Sequence, residues 1–120
     1  MQQSKFYKDK IDSITSIANT LKVDKEEKLL LLCSIIFGVD ILDVKNKSRQ
    51  TREVVDARRL YCYMAVEKFN YTQEYLALYF KQNQPRISTY ISYVKNNIRE
   101  GGYMKGKYLE LKNILEGDGE

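Results

Sequence analysis

The fold of this chain is decided by residues 72–98, which read TQEYLALYFKQNQPRISTYISYVKNNI. Thr72 is a good N-cap, so the stretch predicts a short helix from this residue to about Phe80. Pro85 marks the first turn of a second helix, because its missing N–H costs nothing there. Apolar residues at relative positions 0, 1, 4, 11 and 14 are typical of a helix-turn-helix. These residues are Leu76, Ala77, Phe80, Ile87 and Tyr90.

The turn between the two helices departs from the usual pattern at two positions. Lys81 stands where glycine is usual, and Gln82 stands where an apolar residue usually follows it. We therefore expect a turn that is less tight than the standard one. The alternative interpretation of residues 72–98 is a plain helical corner inside a bundle.

The second helix begins with side chains of the kind that read DNA bases. A recognition helix needs short polar groups and forked donors at its N-terminal end, where the base edges of the major groove are reachable. No acidic residue follows in this helix until Glu100, so phosphates would not be repelled. The candidate contacts here are Asn83, Gln84, Pro85, Arg86, Ser88 and Thr89.

Basic residues are concentrated in two segments of a chain whose formal net charge is only +4. Residues 45–59 have a net charge of +4, and residues 81–99 carry another +4 with no acidic residue. Two basic segments on a near-neutral body fit contact with a phosphate backbone, although both could also be solvated helix faces. We add one polar residue of the first short helix, Gln73, to the candidate contacts from these segments. The contacts from the segments are Lys45, Lys47, Arg49, Gln50, Arg52, Arg58, Arg59 and Lys95.

Helical periodicity extends over the rest of the chain and predicts an all-α fold. Residues 1–22 are expected to form an amphipathic extension, residues 23–116 the helix-turn-helix domain, and residues 117–120 a frayed tail. Within the domain, we expect a helix from Asp24 to about Phe37, one turn after Asp40, a long helix capped by Ser48 or Thr51 that continues to about position 69, and a last helix ending near position 116. On the long helix Arg52 and Arg59 lie one heptad apart, so both should face away from the core.

The amino-acid composition excludes several kinds of catalytic, metal-binding and nucleotide-binding site. The 120 residues suffice for one domain, and they include no histidine, which removes His-based catalysis and His-containing zinc sites. There is no phosphate-binding glycine loop of the GxxxxGK[ST] type and no apolar run of transmembrane length. Cys33 and Cys62 lie within apolar patterns and are expected to be reduced core residues. We therefore expect a cytoplasmic, non-enzymatic protein with no cofactor, no metal and no membrane partner.

Three segments also resemble a known family. They are residues 37–42 (FGVDIL), residues 47–52 (KSRQTR) and residues 54–60 (VVDARRL), and the predicted helix-turn-helix follows at the expected distance. Over residues 29–116 the chain resembles the C-terminal DNA-binding domain of the bacterial replication initiator DnaA. The resemblance implies a Trp-repressor-like helical fold.

The resemblance also implies a division of labour among the candidate residues. An arginine of the basic loop, at the Arg49-Gln50 position, would enter the minor groove, and the start of the recognition helix, residues 83–86, would read bases in the major groove. The start of the long helix would contact phosphates through Arg52, Arg58 and Arg59. The Asp-His-Thr signature of the family is absent at residues 83–86, the turn is one residue shorter, and the family's ATPase module is missing.

The sequence thus predicts a double-stranded DNA-binding protein, sequence-specific through a helix-turn-helix. It would act in replication initiation, in the control of initiation, or in transcription regulation. The alternative is a protein-interaction module that keeps the fold without binding DNA. The N-terminal helix either covers the core or contacts a partner, which would be a second copy of the chain or a replication protein.

Overall fold

The computed structural model describes residues 25–118. The predicted amphipathic helix of residues 1–22 and the predicted cap at Asp24 lie outside these residues. Within them the protein is helical, with no strand, which confirms the all-α fold class. The helices are α1 (Lys25–Ile36), α2 (Ile41–Lys45), α3 (Arg52–Phe69), α4 (Gln73–Phe80), α5 (Gln84–Arg99) and α6 (Tyr103–Asp118).

Local sequence sets the helix ends. Gly38, after α1, has a φ of +67°, a backbone conformation that favours glycine. Asp40 caps α2 by accepting a hydrogen bond from the N–H of Leu42 at 2.8 Å. Thr72 caps α4 in the same manner through the N–H of Tyr75, as its sequence position predicted. The predicted limits of α4 are therefore confirmed. The long helix α3 begins at Arg52, so its N-cap is Thr51 and not Ser48, but the Thr51 side chain makes no capping hydrogen bond.

The long helix α3 is the centre of the domain. It packs against α1 on one side and α5 on the other, and α6 closes the core against α1 and α5. Tyr61 of α3 is fully buried, and the ring of Phe80 meets it edge-on at a centroid distance of 5.6 Å. Cys33 and Cys62 are buried free thiols, and their burial raises the pKa of both above the ordinary 9.0. This core fixes the direction in which α3 and α5 present their outer faces.

The turn between α4 and α5 accommodates both departures noted in the sequence. Lys81 adopts a left-handed conformation with a φ of +55°, which explains why glycine is usual at this position. Its N–H and that of Gln82 bond back to carbonyls of the last turn of α4. The Gln82 side chain is half-buried and donates to the Tyr90 hydroxyl at 3.2 Å. Three residues therefore suffice to join the two helices.

The junction between α5 and α6 also depends on one side chain. The Oδ1 atom of Asn97 accepts a hydrogen bond from the N–H of Met104 at 2.7 Å, so Asn97 satisfies a donor in the first turn of α6.

No helix among residues 25–118 is long and apolar enough to cross a membrane.

Candidate nucleic-acid interface

The N-terminal end of α5 presents a polar, acid-free surface. Asn83 is the N-cap, with its Oδ1 accepting from the N–H of Arg86 at 2.8 Å, and Pro85 lies in the first turn. The Thr89 hydroxyl donates to the carbonyl of Pro85 at 3.0 Å. Gln84, Arg86 and Ser88 are exposed together with these residues, whereas the opposite face of α5 is buried in the core. All six residues predicted at this end therefore lie at the surface.

An arginine of α3 lies on the exposed side of α5. The Arg59 guanidinium carbon is 4.1 Å from the centre of the Tyr93 ring, which is within the range of a cation–π interaction. Tyr93 and Arg86 are seven residues apart on α5, so they lie on the same face of that helix. The basic side of α3 therefore adjoins the face of α5 that carries Arg86.

The same arginine is held by a buried carboxylate. The Asp56 side chain is 2% exposed, and its Oδ1 accepts from Nη1 of Arg59 at 2.9 Å. Arg52 lies 3.7 Å from the other oxygen of Asp56, and its side chain is 72% exposed. The expected solvent-facing position is thus found for Arg52, whereas Arg59 is only 27% exposed. The prediction that both arginines face solvent is wrong for Arg59, because it packs between Asp56 and Tyr93.

The basic loop between α2 and α3 is held by hydrogen bonds with its cationic side chains outward. The main chain turns at Asn46, whose carbonyl accepts from the N–H of Arg49 at 3.0 Å and whose Oδ1 accepts from Ser48. Lys47, Arg49 and Gln50 are exposed. Arg49 makes one ion pair, with Nε 3.4 Å from the Asp43 carboxylate, and its side chain remains 61% exposed. Such a pair costs little to break.

Three other predicted DNA contacts differ in the exposure and pairing of their side chains. Nζ of Lys45 is 2.5 Å from the carboxylate of Glu27, so its charge is compensated within the domain. Gln73 is half-buried as the first residue of α4. Lys95 is exposed on α5.

Arg58 does not belong to this surface. Its side chain points into the protein and has no exposed area. Its guanidinium donates to main-chain carbonyls of α2 and of the basic loop instead. The predicted phosphate contact at Arg58 is therefore wrong, because its guanidinium is buried and already donates to main-chain carbonyls.

Sequence reasoning missed the contribution of α6 to this side of the domain. Tyr103 is 49% exposed, and the guanidinium carbon of Arg52 lies 5.3 Å from the centre of its ring. Lys107 lies 5.9 Å from the same ring and donates to the last carbonyl of α1, that of Ile36. The basic run of residues 105–107 was the available signal, but only the fold brings it next to the start of α3.

Comparison with known proteins finds a similarity to part of a longer protein. No protein family model matches the chain. No solved structure matches it either. Over 85 residues, which are 71% of this chain, it is 29% identical to the chromosomal replication initiator protein DnaA of Thermosipho melanesiensis. Those residues cover 19% of the relative, so the chain spans about a fifth of that protein. The chain is thus similar to one part of an initiator protein, the family its sequence resembled.

Proposed function

We propose that the protein binds double-stranded DNA, with α4 and α5 acting as a helix-turn-helix and α5 as the recognition helix. The observation that carries this proposal is the exposed, acid-free N-terminal end of α5, adjoined by Arg59 through its contact with Tyr93. Phosphates favour a positively charged surface that carries no carboxylates. One continuous positive face formed by both basic segments would support DNA binding, and basic segments on opposite faces would favour the protein-interaction alternative.

The exposed residues divide into two groups by their chemistry. Lys47, Arg52 and Lys95 end in exposed cationic groups and would contact phosphates, which position the protein without reading sequence. Arg86 offers a fork to guanine and Gln84 an amide to adenine, and each pair discriminates by about 1–3 kcal/mol. Arg49 and Gln50 would enter the minor groove, as the resemblance to the DnaA domain implies.

The similarity to DnaA supports a role in replication initiation or its control, with transcription regulation as the other biological setting for the same chemistry. Activities of the whole initiator beyond the matched part are not carried over to this chain. The homodimer or replication-protein partner that residues 1–22 would contact also stays a prediction from the sequence.

Selection of bound sites from a random duplex pool tests whether α5 reads sequence. We expect a preferred site, and Arg86→Ala should relax that preference at one base pair while leaving non-specific binding nearly intact. Arg99→Ala is the matched control, because this arginine is also exposed on α5 but lies at its C-terminal end. Equal effects of the two substitutions would contradict base reading by the N-terminal end of α5.

Competition binding tests how far the family's specificity extends to this chain. Because the Asp-His-Thr signature is absent, we expect the initiator's own box to be preferred over a scrambled duplex by less than about tenfold, or about 1.4 kcal/mol. A stronger preference would show that the basic loop and DNA shape carry the specificity instead of α5. A folded protein that binds no duplex at low salt would favour the interaction module.

A further inference from the structure

Arg58 is the largest side chain that the domain buries completely, and this burial excludes the phosphate contact that the sequence predicted for it. We propose that Arg58 is a positioning residue that holds the basic loop in its DNA-binding shape. This inference rests on the proposed DNA-binding function. It assigns the loop's fixed geometry to a residue of α3 that does not itself touch DNA.

The contacts of Arg58 reach along the whole segment that leads into the loop. Its Nε donates to the carbonyl of Val44 at 2.9 Å, and its Nη2 donates to that of Asn46 at 2.9 Å. The same Nη2 is 3.3 Å from the carbonyl of Arg49 and 3.4 Å from that of Asp43. One guanidinium thus joins the end of α2 to the position where the loop turns toward α3.

The buried charge is stabilised by main-chain dipoles. Among residues 25–118 no carboxylate forms an ion pair with Arg58, and all of its hydrogen-bond acceptors are carbonyl oxygens. The carbonyls of Asp43 and Val44 belong to the last turn of α2, where a helix carries partial negative charge. Nε and Nη2 of the planar guanidinium donate to these carbonyls from two fixed directions, whereas its buried Nη1 has no hydrogen-bond partner among the described residues.

The same side chain connects the loop to the helix pair. The guanidinium carbon of Arg58 lies 6.0 Å from the centre of the Phe80 ring, and Phe80 is the last residue of α4. Arg58 therefore lies between the basic loop and the helix that precedes the turn. This position links the loop to the end of α4 as well as to α3.

Holding the loop in one shape would raise affinity without adding a contact. A loop that is already ordered loses less conformational entropy when it binds, so Arg49 and Lys47 reach the DNA at a lower cost. Loss of this constraint should weaken binding while the number of neutralised phosphates stays the same. This combination separates a positioning role from a phosphate contact.

Two variants of Arg58 test the proposal. Arg58→Lys keeps the charge without the fork, and Arg58→Gln keeps a planar donor without bringing a charge into the core. Positioning predicts that both lower duplex affinity by about tenfold and that both leave the slope of log K against log salt unchanged. A phosphate contact would instead reduce the slope by about 0.9 in Arg58→Gln alone, and this result would overturn the proposal.

A double-mutant cycle and hydrogen exchange complete the test. In an Arg49→Ala background, the Arg58 substitutions should lose most of their effect on affinity, because they act through the loop; full additivity would contradict the proposal. Amide exchange of residues 46–50 in the free protein should speed up in both variants, and unchanged exchange would also contradict it.

If the wild-type protein binds no DNA, the proposed function fails, while the exchange measurement still decides whether Arg58 holds the loop. If both variants unfold, the test is hydrogen exchange of the Arg58 Nε–H, measured in the wild-type protein and in its duplex complex. Slow exchange supports the proposal, and fast exchange would overturn it.

Discussion

Replacing Arg59 by alanine should destabilise the domain, although the sequence alone suggested a solvent-facing residue. The substitution removes the 2.9 Å hydrogen bond to Asp56, whose side chain is 2% exposed, and leaves that carboxylate with Arg52 at 3.7 Å. A hydrogen bond to a charged group contributes about 1.5–3 kcal/mol. The lost contact with Tyr93 adds about 0.5–1 kcal/mol. We therefore expect the free energy of unfolding to fall by about 2–4 kcal/mol.

Urea and thermal unfolding of matched variants measure this effect. For a domain of this size, 1 kcal/mol corresponds to about 4 °C in Tm, so Arg59→Ala should lower Tm by roughly 8–16 °C. Arg52→Ala is the control, because it loses contact with the same carboxylate from a side chain that is 72% exposed, and it should cost about 0.5–1 kcal/mol. In an Asp56→Asn background the penalty of Arg59→Ala should shrink. Equal losses from Arg59→Ala and Arg52→Ala would refute the reasoning.

Three further predictions concern the turn before α5, the glycines of α6 and its junction with α5, and the two buried cysteines. Lys81→Gly should raise the free energy of unfolding by up to about 1 kcal/mol in urea melts, because φ is +55° there; a similar gain from Lys81→Ala, which keeps the Cβ, would contradict this cause. Gly102→Ala should cost about 1 kcal/mol, because its Cβ would lie 2.6 Å from Oδ1 of Asn97, the cap of α6. Gly106→Ala, with open space around its Cβ, should instead be neutral or stabilising in the same melts. At pH 8 both cysteines should resist a thiol reagent in the native protein and react after unfolding, since burial raises both pKa values; fast native labelling would contradict this.

Much of the fold is predictable because its signals are local. Helical periodicity acts over a few positions, Thr72 caps α4 with its side chain, and Gly38 adopts the left-handed conformation after α1. These local signals give the start of α4 and the end of α1. The turn at Lys81 shows the limit of such rules. The sequence identified the unusual residue there, but not that the chain would adopt the left-handed conformation with a lysine.

The candidate interface is less predictable, because it depends on what lies opposite each side chain. Arg58 and Arg59 are adjacent, and residues 58 and 59 look alike in composition and local charge. A rotation of about 100° along α3 sends one into the carbonyls of α2 and the loop, and the other onto Tyr93. The partners of both come from other elements of the fold. Only tertiary packing therefore distinguishes the buried arginine from the one beside α5.

The most direct test of the account is duplex binding measured as a function of salt. Three exposed cations are assigned to phosphates, namely Lys47, Arg52 and Lys95. Each phosphate neutralised contributes about −0.9 to the slope of log K against log salt, so we expect a slope on the order of −3. Arg52→Ala should make this slope shallower by about 1. An affinity that does not change between low and moderate salt, or no binding at low salt, would contradict the proposed DNA-binding function.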